Sequence, residues 1–166
     1  MTSTLRSLQF FTLGTWVGSI LYFSVVVAPG AFRMLANANE AADMISYSLG
    51  RLHIAGIALG LAYLLATLLL GRSAGVLGRP ASLLVFLMIA LTWISQFHVV
   101  ARMHLLRLES GSIFATPPDT PIRVAFDRLH TFSVWIEGVV AISGVAALYL
   151  TARAAKSVPA TTPAPE

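Results

Sequence analysis

The chain has no cysteine, so it carries no disulfide framework, no thiolate metal site and no thiol nucleophile. It is also poor in charge. Only 11% of its 166 residues are Asp, Glu, Lys or Arg, while 57% are hydrophobic, and a globule of this size cannot dress a water-facing surface with so few ionised groups. No connection between apolar segments is long enough to fold by itself, which excludes a separate soluble domain. The net charge of +4 would suggest nucleic acid in a soluble protein. Here the basic residues stand at the ends of apolar runs, where they meet lipid headgroups, and nucleic acid is not expected as a partner. No nucleophile and base pair and no phosphate-binding loop is visible, so the expectation is that the chain is not an enzyme.

What is present is an apolar segment of spanning length, four times over. The spans are read at about residues 8–28, 53–70, 82–100 and 132–150, giving an all-α integral membrane protein with four transmembrane helices in an up-down-up-down bundle, residues 1–152. Pro29-Gly30 is expected to end the first span. Asn39 is expected to cap the second helix, whose first part, Glu40 to Leu52, is amphipathic. Pro80 opens the third helix after a basic turn, Gly71 to Arg79. Thr120-Pro121 reads as cap and first residue of the fourth. Residues 153–166 read as a Pro/Thr/Ala tail too poor in apolar side chains to fold. The first apolar run is 21 residues long, too long for the core of a cleaved signal. Thr12, Thr15 and Ser19 form a polar stripe on it. Gly14/Gly18 and Gly56/Gly60 are GxxxG pairs, read as contacts inside the bundle rather than as dimerisation sites. Arg72, Arg79, Arg153 and Lys156 flank spans on the side of the termini, which places both termini in the cytoplasm and the protein in the cell membrane as a multi-pass component.

Connectivity then gathers the chemistry. In such a bundle the end of helix 1, the start of helix 2, the end of helix 3 and the start of helix 4 share one membrane face. That face receives all four histidines, His53, His98, His104 and His130, together with Gln96, Arg102 and Asp127. Glu137 lies about five residues into the last span, roughly 8 Å deep at 1.5 Å per residue. An ionised group in a span costs ~2.5–3.5 kcal/mol at mid-bilayer by insertion scales, so Glu137 needs a partner, and residue counting offers Gln96, His98 or Arg102. Asp127, three residues before His130, is placed to orient that imidazole or simply to brace a helix start. His53 and His104 read as interfacial. Trp16, Trp93 and Trp135 read as packing or belt residues. The candidate pocket is therefore Gln96, His98, Arg102, Asp127, His130, Glu137 and His53.

An AP-x-x-F segment closing helix 1, with Ala28, Pro29 and Phe32, and an F-x-x-L-H-x-x-S segment opening the last helix, with Phe126, Leu129, His130 and Ser133, resemble the transmembrane protein 205-like family, four-span proteins treated as a domain of unknown function. The resemblance covers Leu8 to Ala152. It implies a four-span fold and a membrane location and no established activity; Glu137 departs from the neutral amide expected at that place.

The residues leave three functions open. The first is a small membrane protein that handles an ion, a proton or a small solute at the polar, histidine-lined pocket, without a cofactor. The second is a haem or transition-metal protein using His53, His98 and His130, since facing histidines in a bundle ligate such groups. The third is a structural membrane component that pairs with itself as a homo-oligomer or with another membrane protein. The lipid bilayer is the partner common to all three.

Overall fold

The computed structural model describes residues 2–71 and 79–156. Residues 72–78, which hold most of the expected basic turn, and residues 157–166, which hold most of the expected tail, lie outside the described residues. Four helices account for nearly everything else: α1 Thr2–Met34, α2 Ala38–Leu70, α3 Pro80–Ser110 and α4 Pro121–Lys156. Among the described residues there is no strand. Each helix is long and apolar enough to cross a membrane. At 1.5 Å per residue they measure about 50 Å, against ~30 Å of hydrocarbon, so each extends beyond it.

Every helix packs on its chain neighbours, and α1 closes the ring against α4. Three helices reach the axis through the same spacing. Buried residues fall at His53, Gly56, Gly60, Tyr63 and Thr67 on α2, at Val85, Met88, Thr92, Ser95 and Val99 on α3, and at Ser133, Ile136, Val140, Ser143 and Ala147 on α4. Alternating steps of three and four define a heptad seam, which holds a left-handed four-helix bundle together by interlocking side chains. On α1 the inward set is Gln9, Thr12, Leu13, Trp16, Val17 and Ile20. Thr15 is exposed and Ser19 is only partly covered, so of the expected Thr12, Thr15, Ser19 stripe only Thr12 faces the bundle. Trp16 is buried while Trp93 and Trp135 are exposed, a division between packing and a lipid-facing ring.

Pro29 does not end the first helix. The backbone widens over Phe23–Val27, where Ala28 N–H bonds to Phe23 O five residues back, and the helix continues through Pro29 to Met34. One wide turn accommodates the missing proline donor and its ring, as π-bulges do in membrane helices. A second wide turn covers Ser95–Val100 in α3. The cap of α2 is Asn37, whose side chain accepts from Asn39 N–H at 2.9 Å, rather than Asn39. Asn39 reaches across instead to Ser112 Oγ at 2.9 Å. Thr120 and Pro121 do stand as cap position and first residue of α4, with Thr120 O accepting from Val124 N–H at 3.0 Å, while the Thr120 hydroxyl donates back to Pro117 O at 2.7 Å and so fixes the loop.

A small cap sits on the histidine-bearing end. Leu106, Ile113 and Phe126 form its apolar centre. Arg107 donates to Asp43, to Ser46 Oγ at 3.0 Å and to Ala42 O at 3.4 Å, tying α3 to the start of α2. Arg123 holds the loop through Ile113 O at 2.8 Å and pairs with Asp127 at 3.0 Å. Phe32 meets Phe114 edge-on at 6.0 Å, so α1 also joins the cap.

The glycine pairs part company. A methyl group on Gly56 would overlap the indole of Trp16, and one on Gly60 would sit 2.7 Å from its Cζ3, whereas Gly14 and Gly18 have nothing within 4 Å. The first pair is a close α1/α2 contact, and the second contributes no internal packing. Gly56→Ala is therefore expected to destabilise the protein in detergent by about 1–3 kcal/mol through overpacking, and Gly14→Ala to change it little or to raise it through helix propensity. Thermal unfolding followed by tryptophan fluorescence checks both; equal effects would mean that Trp16 is not seated on Gly56.

Candidate functional site

The seam of α2 places a histidine where its next turns place glycines. His53 is 2% exposed, and both ring nitrogens are engaged by other helices. Nδ1 lies 2.8 Å from Gln96 Oε1 on α3, and Nε2 lies 2.6 Å from Glu137 Oε1 on α4. Glu137 is itself only 14% exposed. A single hydrogen-bonded chain, Gln96–His53–Glu137, thus crosses the bundle and fastens three helices near the end that carries the cap.

Local structure explains each position. Glu137 follows the seam residue Ile136, so it flanks the axis and reaches toward α2. Gln96 follows the seam residue Ser95 within the wide turn of α3. Gly50, one turn before His53, borders the site: a methyl group there would make an ordinary contact at 3.7 Å with Gln96 Nε2. Trp16 closes the site from the axis side by covering Gly56, one turn after His53.

The remaining candidates lie elsewhere. His98 is exposed and rests beside Trp93 at 5.3 Å. It stands between the seam residues Ser95 and Val99 and is turned outward. Arg102 is exposed and makes no ion pair among the described residues. His130 is exposed and stacks on Phe126 at 6.4 Å, while Asp127 pairs with Arg123 and not with His130. His104 borders a cleft of about 140 Å³ with Asn39, Asp43 and Arg107, which includes none of the three chain members. The expected pocket of several histidines is therefore not assembled. The expected interfacial place of His53 is overturned as well, because the α2 seam turns it inward. Among the described residues no three His, Asp or Glu side chains converge to hold a metal ion, and His53, His98 and His130 do not come together as the metal alternative required. Of the family-like motif, Phe126 enters the cap, Ser133 is buried, and Phe32 packs on Phe114.

Sequence reasoning had given Glu137 the wrong neighbours in His98 and Arg102 and ranked His53 low. The signal that finds His53 is its register with Gly56, Gly60 and Thr67.

These features define an integral membrane four-helix bundle with one ionisable chain closed inside it. Residues 11–112 match the family model described as a domain of unknown function (DUF4149), and the chain belongs to that family. The match supports a membrane domain of unknown function and does not single out the transmembrane protein 205-like family. It spans His53 and Gln96, and Glu137 lies beyond it. No curated protein and no solved structure matches the chain.

Because His53 and Glu137 satisfy each other away from water, removing either leaves the other buried and unpaired, at a larger cost than removing both. His53→Leu and Glu137→Leu are each expected to lower thermal stability in detergent, with the double variant less affected than the sum. The coupling expected is on the order of 1–3 kcal/mol. Additive effects would show that the two side chains do not share a bond.

Proposed function

We propose that this membrane protein binds and exchanges a proton at the Gln96–His53–Glu137 chain. The observation that carries the reading is the 2.6 Å contact between His53 Nε2 and Glu137 Oε1 on a histidine 2% exposed. With the Gln96 oxygen toward the ring, Nδ1 carries a hydrogen and donates it. One proton then lies between Nε2 and the carboxyl oxygen. It makes either imidazolium with carboxylate or neutral imidazole with carboxylic acid, and both arrangements are neutral overall. Adding a proton charges the pair positively. Removing one leaves a carboxylate that needs Nε2–H, so the ring must change tautomer and present the Nδ1 lone pair to Gln96. Rotation of the Gln96 amide supplies an N–H donor for it. The three residues can therefore follow a gain or a loss of charge without leaving a buried group unpaired, which a fixed salt bridge does not require.

The titratable group facing His53 is Glu137 on α4; Gln96 on α3 is neutral, and so is Trp16 on α1, one turn away. This reading is non-catalytic and makes proton handling, rather than a solute pocket, the function of the site. ¹⁵N NMR of histidine-labelled full-length protein in nanodiscs tests it, with exposed His98, His104 and His130 as internal references and His53 assigned through His53→Gln. Between about pH 5 and about pH 9, the range in which histidines titrate, the His53 nitrogens are expected to pass from one charge state to another in wild type. In Glu137→Gln, which removes the charge facing the ring, that passage is expected at a different pH from wild type. A His53 spectrum constant over that range in wild type makes the chain a static brace and overturns the reading.

A further inference from the structure

Three hydroxyls of α3 stand inside the bundle with no hydrogen-bond partner among the described residues: Ser82 Oγ, Thr92 Oγ1 and Ser95 Oγ, each 0–1% exposed. Three other buried hydroxyls of the spans are satisfied, while those of Ser133 and Ser143 on α4, 6% and 7% exposed, make no hydrogen bond among the described residues. Thr12 donates to Leu8 O at 2.8 Å, Thr67 to Tyr63 O at 2.9 Å and Thr151 to Ala147 O at 2.7 Å, each to the preceding turn. Such back-bonding is the ordinary fate of a hydroxyl in a membrane helix. Thr92 and Ser95 do not take it, and they sit on the seam one turn apart, which brings their side chains within ~5–6 Å of each other. Ser95 adjoins Gln96, the end of the proton-binding chain.

Below them the axis is tight and, apart from Ser143 next to Gly144 on the α4 seam, apolar. Val85 and Met88 are both fully buried, with Leu13 and Val17 opposite on α1. A methyl group added to Gly144 would overlap Val17 and lie 3.0 Å from Met88 Cε, so α1, α3 and α4 meet there without a gap. Beyond this closure, near the termini, a second set of polar side chains pairs within itself, leaving out Ser82 Oγ. Gln9 Nε2 donates to Thr67 Oγ1 at 2.7 Å, and the Tyr63 and Thr151 hydroxyls pair at 2.7 Å. Ten residues of α3, about 15 Å at 1.5 Å per residue, separate Ser82 from Thr92.

We propose that Thr92 and Ser95 are the floor of a one-sided proton well. They hold internal water that continues the hydrogen-bond chain from Gln96, His53 and Glu137 toward the bundle centre, and the Met88, Val17 and Gly144 contact stops it there. Buried water characteristically satisfies such orphaned polar groups in threes and fours. A proton enters and leaves by the capped face and does not pass through. The proposal rests on the chain as a proton site, and it adds a ligand, water, and a direction of access.

The test is proton flux into liposomes that hold the full chain and an internal pH-sensitive dye, driven by a potassium diffusion potential, with retention of a trapped anionic dye as the check that vesicles are sealed. Wild type is expected to be as tight as protein-free vesicles. Met88→Ser is expected to raise proton flux tenfold or more, and Thr92→Val with Ser95→Ala, added to Met88→Ser, to return it to the wild-type level. Val85→Thr, close in shape to the native side chain, takes the place of Met88→Ser should that variant fail to fold. A tight Met88→Ser and a tight Val85→Thr, a leak unmoved by the two hydroxyl replacements, or a wild type that conducts would each overturn the well. The histidine NMR experiment is independent. A His53 that keeps one charge state while the leak behaves as stated removes the proton site and leaves the water, and a titrating His53 with no induced leak does the reverse.

Discussion

A carboxyl group inside a membrane helix is the constraint around which this bundle is arranged. The alternatives for Glu137 were lipid, where ionisation costs several kcal/mol, or a partner on another helix. The partner is His53, 2.6 Å away, and a histidine cannot serve unless its second nitrogen is also satisfied, which brings in Gln96. One acidic residue therefore fixes the lateral order of α2, α3 and α4 at that depth. α1 makes no hydrogen bond to the chain. It contributes Trp16, whose ring needs the missing side chains of Gly56 and Gly60 in order to lie against α2.

Association of helices in lipid draws little from the hydrophobic effect, since lipid tails are as apolar as leucine. Packing, hydrogen bonds and small residues have to supply it. The bundle uses each at a different level: the His53 chain near the cap, the Trp16 and Gly144 contacts in the middle, and the Gln9–Thr67 and Tyr63–Thr151 bonds near the termini. The cap adds a fourth, outside the apolar band. There Arg107 and Arg123 each bind a carboxylate together with a backbone carbonyl, an arrangement that suits a planar fork of donors.

Fold class was legible in the sequence because length and hydropathy alone decide it: four apolar runs of spanning length leave no soluble alternative. Helix ends were less so. Pro29 read as a stop, and a single wide turn carried the helix past it; such a turn depends on the whole strained segment and has no residue signature of its own. Glu137 was legible as a residue in need of a partner, yet the partner was misread. Depth counting treats a helix as a line. It ranks His98 and Arg102 equally with Gln96, although both are exposed, His98 because it stands off the seam and Arg102 in spite of its register with Val99 and Leu106. His53 was named for the pocket but not as the partner of Glu137, because an imidazole near a span end ordinarily belongs to the interface. Its register with Gly56 and Gly60 outweighed that tendency.

The register of α2 also bears on what the site can do. A salt bridge kept only to hold helices would gain from a permanently charged partner, and Arg51 stands two residues from His53 on the same helix, exposed, with its guanidinium over Tyr47 at 5.3 Å. The seam takes His53 instead, whose charge can be lost, and pairs it with a carboxyl group whose charge can also be lost and an amide that donates or accepts by turning over. Each member of the chain has two forms, and every form finds a complementary one in its neighbour. A bundle that needed only to be held together would not require that property in all three, and a proton that must be taken up and released inside low-dielectric surroundings does.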